Sequence, residues 1–249
     1  METPLLNKYI NIYLSLYKRQ YKYRYKKIYI MKNLKIIFAN QKGGVGKSTL
    51  CILFANYLSW KRKSVCIIDT DLQKSILTQR QKDEKIYDGD APYNIQGFDV
   101  NKPELMQELM EAASEVEGYV LFDSPGNVSE DGLVPMFVNA DYIVCPYEYE
   151  DKTLESTGVF VQVINALKAQ NPSMHARMFF VPNRIDSRIG TIDEQKIWNI
   201  TNETFQQLGK VTPIINSRAT LKRINTYEIL ATQKDAVKGA FEFMIKRMK

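Results

Sequence analysis

The sequence predicts an α/β fold: a doubly wound, mostly parallel sheet with helices on both faces. Three observations carry that expectation. Short apolar runs alternate with longer stretches of helical character from residue 31 onward. A glycine-rich segment joins the first of these runs to the first helical stretch. A length of 249 residues suits one such domain with a large core.

In chain order, strands are expected at residues 34–39, 64–68, 93–98, 118–122, 141–145, 177–181 and 211–215. Helices are expected at about 48–60, 103–113, 152–170, 192–208 and 233–248. No repeat, low-complexity linker or heptad run divides 31–249, so it reads as a single domain. No apolar run reaches the roughly 18 residues of a membrane span. Cys51, Cys66 and Cys145 lie in the first helix and in two strand runs, without metal spacing; they read as core residues of a reduced, cytoplasmic protein. His175 is the single histidine, which excludes histidine triads and His-rich metal sites.

The formal charge of +6 invites a nucleic-acid reading, but its location matters. Residues 1–30 hold seven basic residues and one acid, so this leader carries the whole excess and the remainder is neutral. The leader also holds seven of the fifteen tyrosines and lacks the pattern of a secretory signal. We expect translation to begin at Met31 and residues 1–30 to be disordered or a misassigned extension. The alternative is a basic-aromatic arm that touches nucleic acid or an anionic surface.

Residues 40–49 (Asn-Gln-Lys-Gly-Gly-Val-Gly-Lys-Ser-Thr) carry the chemistry. Gly43, Gly44 and Gly46 let backbone N–H groups turn inward around phosphate oxygens, at the positive end of the following helix. Lys47 is spaced to reach the β- and γ-phosphates, and the Ser48 hydroxyl to sit on Mg²⁺. The chain is therefore expected to bind a nucleoside triphosphate. Two strand runs end in aspartate: Val65–Ile68 leads into Asp69-Thr70-Asp71, and Tyr119–Phe122 into Asp123-Ser124-Pro125-Gly126. Carboxylates one residue apart can take different roles, one near the metal and one toward the attacking water. An apolar strand ending in aspartate is the arrangement that holds Mg²⁺ through water.

The segment Lys42–Thr49 resembles the deviant Walker A motif of the ParA/MinD ATPases, the family of DNA-partitioning and division-site switch proteins. The departures are Leu72 for proline in the Asp-x-Asp-Pro-Gln pattern and Gly126 for the second proline of Asp-x-Pro-Pro. The resemblance implies that Gly43, Gly44, Val45, Gly46, Lys47, Ser48 and Thr49 bind ATP with Mg²⁺. It implies that Lys42 reaches the partner's phosphates in a sandwich homodimer, and that Asp71 positions the water. Asp69 would support the metal region with Ser48 and Asp123, Asn183 would recognise the adenine edge, and Pro213 would flank the base. In relatives, basic residues near the C-terminus bind DNA nonspecifically, which points to Arg218, Lys222 and Arg223; a solvated helix face fits these equally.

The same resemblance implies a slow, partner-stimulated ATPase with a ParB-like or other centromere- or cargo-binding partner. It would be cytoplasmic, and nucleoid-associated when ATP-bound. Two rivals stand beside it. One is a MinD-like membrane-surface switch, for which the final helix offers Val237, Phe241, Met244, Ile245 and Met248 on one side; packing against the domain explains that stripe as well. The other is an ATP-dependent synthetase on the same fold.

Overall fold

A computed structural model describes residues 33–100, 103–127, 131–186 and 190–248; the leader 1–30 lies outside the described residues. The strands are β1 (Leu34–Phe38), β2 (Val65–Asp69), β3 (Asn94–Gly97), β4 (Tyr119–Asp123), β5 (Tyr142–Tyr147), β6 (Arg177–Ile185), β7 (Lys210–Val211) and β8 (Ile215–Asn216). They lie in the order β3-β2-β4-β1-β5-β6-β7, with β8 also on β6, and every pair is parallel. The chain leaves β1 toward β2 on one side and later passes from β4 to β5 on the other. That reversal opens a crevice at the C-terminal ends of the central strands, where such sheets bind ligands.

The helices are α1 (Lys47–Trp60), α2 (Ser75–Asp83), α3 (Pro103–Ser114), α4 (Val134–Val138), α5 (Asp151–Gln170), α6 (Ile192–Leu208) and α7 (Ala231–Arg247). Successive strand residues enter opposite cores, as the pleat requires. Ile36, Phe38, Ile67 and Leu121 pack against Leu53 and Phe54 of α1 and Phe241 of α7. Ile37, Ile68, Val120 and Phe122 face Met106 of α3, Phe137 of α4, Phe160 of α5 and Phe205 of α6. The expected doubly wound sheet is the observed one.

Three details differ from the sequence expectation. First, α2 was not expected, because its residues show no apolar period. It buries Ile76 together with two charged side chains, Arg80 and Asp83. Arg80 donates to the Thr226 hydroxyl at 2.7 Å, the Thr226 carbonyl at 2.9 Å and the Tyr93 carbonyl at 2.9 Å. Asp83 accepts from the Thr226 N–H and hydroxyl at 2.7 and 2.8 Å. Polar satisfaction, which has no sequence period, replaces an apolar stripe here.

Second, the strand expected at 211–215 is two short strands that meet β6 in succession, Phe180 beside Val211 and Asn183 beside Ile215. Pro213 stands between them, where a residue without an N–H cannot continue a ladder. Third, Arg218, Lys222 and Arg223 do not share a helix face. Arg218 and Arg223 flank a four-residue 3-10 turn, Ala219–Lys222, that Lys222 ends, and all three are exposed. In α7, Val237, Phe241 and Met244 are all buried against the sheet, so this side of the helix packs inward. Among the described residues no helix is long and apolar enough to cross a membrane.

Candidate nucleotide-binding site

The loop between β1 and α1 is held from beneath at both ends. Asn40 is fully buried; its amide donates to the Pro146 carbonyl at 2.8 Å and to the Thr157 hydroxyl at 2.9 Å. Its oxygen accepts the Lys42 N–H at 3.1 Å. At the other end Asn183 donates to the Val45 carbonyl at 2.8 Å, and the Arg184 guanidinium donates to the Gly44 carbonyl. Arg184 also lies 3.6 Å from the Glu148 carboxylate, whose pKa burial raises and the guanidinium lowers.

Gly46 is required twice over. Its φ is 98°, and a Cβ there would lie 2.5 Å from the Asn183 amide nitrogen. Gly44 also has a positive φ, 84°, but open space surrounds it, and no atom lies within 4 Å of a Cβ on Gly43. The loop is thus braced from below, with open space where side chains on Gly43 and Gly44 would stand.

The α1 terminus presents free N–H groups with no acidic side chain in its first turn, so its positive end is uncompensated from within. Lys47 is buried and donates to the Lys42 carbonyl at 3.1 Å. Burial lowers its pKa, against the attraction of Asp123 and then Asp71. Gly126 lies over the same place: a Cβ there would be 3.8 Å from the Lys47 amine and 4.0 Å from the Gly43 N–H nitrogen. The segment after β4 therefore passes across the loop; residues 128–130 lie outside the described residues.

Beneath Lys47 stands the carboxylate that distinguishes this site. Asp123 ends β4 in register with Phe38 of β1 and Asp69 of β2. It is 0% exposed, and neither oxygen completes a hydrogen bond among the described residues. The Ser48 hydroxyl is near enough to favour the charged form but stops short of a well-formed bond. Burial pushes the Asp123 pKa up to about 8; Asp69 and Asp71 push the same way, while Ser48 and Lys47 oppose. A buried acid with two idle oxygens beside a serine hydroxyl suits a hard dication that brings its own water. Asp123 and Ser48 therefore fit Mg²⁺.

The two aspartates after β2 are placed differently. Asp69 is buried, and one oxygen accepts the N–H groups of Ile76 and Leu77, both at 3.0 Å. Its other oxygen faces the Asp71 N–H at 3.3 Å. Burial raises its pKa and these N–H bonds hold it down. Asp69 thus caps the start of α2, and the hydrogen bonds its carboxylate accepts among the described residues all come from backbone N–H groups. Asp71 is only partly buried; one oxygen accepts the Gln73 N–H at 2.8 Å, and its charge is felt at Lys47 and Asp123. Thr70, between them, donates its hydroxyl at 2.7 Å and its N–H at 3.1 Å to the Asp123 carbonyl, tying the ends of β2 and β4 together.

Of the residues expected at the base, Asn183 is 3% exposed and braces the loop, while Pro213 is exposed and lies against Gly239 of α7. Asn40, Thr70 and Thr157 carry structural roles that no sequence motif announced. Their partners lie up to 117 residues away, which is why local pattern gave no signal. The cysteines are free; burial pushes the Cys66 thiol up to about 12 and raises Cys51 and Cys145 as well. No cluster of three or more His, Cys, Asp or Glu side chains placed to hold a metal occurs among the described residues.

Comparison with known proteins agrees with this geometry. The profile of the family described as CobQ/CobB/MinD/ParA nucleotide binding domain matches residues 36–223. Among curated proteins, no sequence match reaches significance. By structure, the chain is similar to a plasmid partition protein from Borrelia burgdorferi, with 20% identity over 87% of this chain and 99% of that one and a TM-score of 0.65. It is similar to a point variant of McdA from Cyanothece in complex with ATP, at 16% identity, 87% and 96% coverage and a TM-score of 0.68. It is also similar to a chain of the MinC:MinD cell division protein complex of Aquifex aeolicus, at 17% identity, 86% and 95% coverage and a TM-score of 0.65. The chain belongs to the CobQ/CobB/MinD/ParA nucleotide-binding family.

Proposed function

We propose that this member of the family is an ATP-hydrolysing switch that closes into an ATP-dependent sandwich homodimer, binds DNA nonspecifically and partitions a plasmid, chromosome or mobile element. The observation that carries the reading is Asp123, buried, unpartnered and adjacent to Lys47 and Ser48 at the foot of a braced glycine loop. Lys47, Ser48 and the N–H groups of residues 43–49 hold the triphosphate. Bound Mg²⁺, held by Ser48 and Asp123, supplies charge to balance the phosphate oxygens. Asp71 is accessible enough to meet water and orients it for attack. Asn183 steadies the loop, and reading the adenine edge would require its amide to serve a second partner.

The dimer rests on Lys42 and its neighbours. Gly43 and Gly44 are exposed and leave open space where side chains would stand, so a second subunit can approach the phosphates closely. Lys42 uses only its backbone within the loop, which leaves its amine for the partner's site. Arg218, Lys222 and Arg223 are exposed cations available to DNA. A ParB-like or cargo-binding protein would stimulate turnover. The membrane-surface alternative loses much of its support, because the α7 stripe it needs is buried on the sheet.

Size-exclusion chromatography with light scattering, in ADP and then in ATP, tests the switch, with DNA co-sedimentation and phosphate release on the same samples. ATP should give a dimer that pellets with DNA; Lys42→Ala should remain monomeric, and Asp71→Ala should hold the dimer without turnover. Normal hydrolysis by Asp71→Ala would remove it from the water-positioning role. Turnover that depends on a small acid substrate, with no DNA binding, would favour a synthetase.

A further inference from the structure

The opposite end of the sheet carries a second charged site. At the N-terminal ends of β5, β6 and β7 an open groove of about 440 Å³ is lined by Tyr142, Met178, Phe179 and four cations, Arg177, Lys210, Lys246 and Arg247. All four cations are exposed, and none is ion-paired with a described carboxylate. Arg247 stacks on the Phe243 ring at 3.5 Å and donates to the Phe243 carbonyl. The carboxylates on neighbouring elements are engaged elsewhere. Glu242, whose charge is felt at Lys246, binds Lys61 at 2.6 Å and the Tyr57 hydroxyl at 2.7 Å. Asp141 accepts the Lys35 N–H at 2.8 Å and faces His175 at 3.4 Å.

Backbone packing builds this cluster. Lys210 pairs with Phe179, so it stands one strand over from Arg177, about 4.8 Å away across the ladder and two residues along it. Gly209 makes that approach possible, since a Cβ there would lie 2.6 Å from the Met178 carbonyl oxygen. The last turn of α7 then brings Lys246 and Arg247 to the same rim. Four like charges with no ion-paired carboxylate among the described residues repel one another, and an anion relieves that repulsion.

We propose that this groove binds the sugar-phosphate backbone of nucleic acid, and that it is a principal DNA-contacting surface of the protein. The inference rests on the switch reading above for its biological setting. Four cations spread over three elements match a phosphate chain, and contacts to phosphates carry no sequence information directly. A lipid surface fits less well. The rim presents no exposed large apolar side chain to enter the acyl region, and α7 turns Phe241 and Met244 into the core. The groove lies opposite the nucleotide crevice, so closing two nucleotide faces on each other leaves it open.

The test is fluorescence anisotropy of full-length protein with ATP on a labelled duplex of arbitrary sequence, titrated across salt concentrations. Wild type is compared with Arg177→Ala/Lys210→Ala/Lys246→Ala/Arg247→Ala and with Arg218→Ala/Lys222→Ala/Arg223→Ala. We expect the groove variant to lose about tenfold or more in affinity and its log–log salt slope to shrink by about three units, with melting temperature and basal ATPase unchanged. A single Lys210→Glu should lower affinity in the same direction. If the groove variant binds with wild-type affinity and slope, the location is wrong while the switch reading stands. If wild type binds no duplex, whether or not it binds vesicles containing phosphatidylglycerol, both readings are overturned.

Discussion

The two ends of one parallel sheet have opposite character. At the C-terminal ends of β1, β2 and β4, buried carboxylates crowd beneath a glycine loop, and one of them, Asp123, has no hydrogen-bond partner among the described residues. At the N-terminal ends of β5, β6 and β7, four exposed cations gather, and none is ion-paired with a carboxylate among the described residues. Beyond residue 30 the formal charges cancel, so composition conceals this separation entirely. The lesson is that burial, not charge alone, distinguishes the two ends. A buried unpartnered group destabilises the fold until something binds it, whereas an exposed cation costs little and is simply available.

That contrast can be broken at its stronger end first. On the proposed function, Asp123→Asn should lower ATP hydrolysis by about 100-fold or more, since the charge proposed to hold Mg²⁺ is removed. The same change should stabilise the nucleotide-free protein by about 1–3 kcal/mol, because a buried idle carboxylate is replaced by a neutral amide. A melting temperature that rises without nucleotide, yet no longer responds to Mg·ATP, is the expected signature; a fall would show that Asp123 has a partner within the fold.

Removing the brace is next. Gly46→Ala meets both a positive φ and the Asn183 amide, and should cost about 2–3 kcal/mol in urea unfolding together with ATP binding. Asn40→Ala leaves the Pro146 carbonyl, the Thr157 hydroxyl and the Lys42 N–H short of a buried partner. It should destabilise by about 1–3 kcal/mol, while ATP affinity falls more than the unfolding energy alone would require. Equal effects of Asn40→Ala on stability and on affinity would mean that the loop needs no bracing of its own.

The smallest effect lies at the basic end. The Glu242 pKa is lowered, chiefly by its bond to Lys61 and then by Tyr57. A lowered pKa means that this group's contribution is present above the ordinary carboxylate range and disappears as pH falls through it. The pair is about one-quarter exposed, so the contribution should be no more than about 1 kcal/mol. The gap in melting temperature between wild type and Glu242→Gln should therefore be small at neutral pH and close in acid. A gap that widened in acid would reverse the assignment.

Much of the fold was legible because its signals are local. The loop at 40–49, strands ending in Asp69 and Asp123, and helices with a buried stripe all sit within short windows of sequence. What escaped was built from distant partners. Helix α2 lacks an apolar period because Arg80 and Asp83 anchor it to Thr226, some 140 residues on. Asp69 resembles a metal-region acid in sequence; its second role, one oxygen capping the start of that same unforeseen helix, had no local signal. Asn183 stood out for its place after a strand, yet its role under Val45 required knowing that β6 ends beside the loop.

The sequence by itself determined the nucleotide chemistry, because phosphate binding needs glycines, a lysine and a serine at fixed spacing along one strand–loop–helix. It also determined that the domain's charges balance. Only the tertiary structure decided where those charges stand. Parallel strands bring residues far apart in the chain to a common end of the sheet, and Gly209 lets β7 close onto β6 so that Lys210 joins Arg177. The same packing left Asp123 buried without a hydrogen-bond partner among the described residues and gathered four cations that pair with no described carboxylate, which no local spacing could encode.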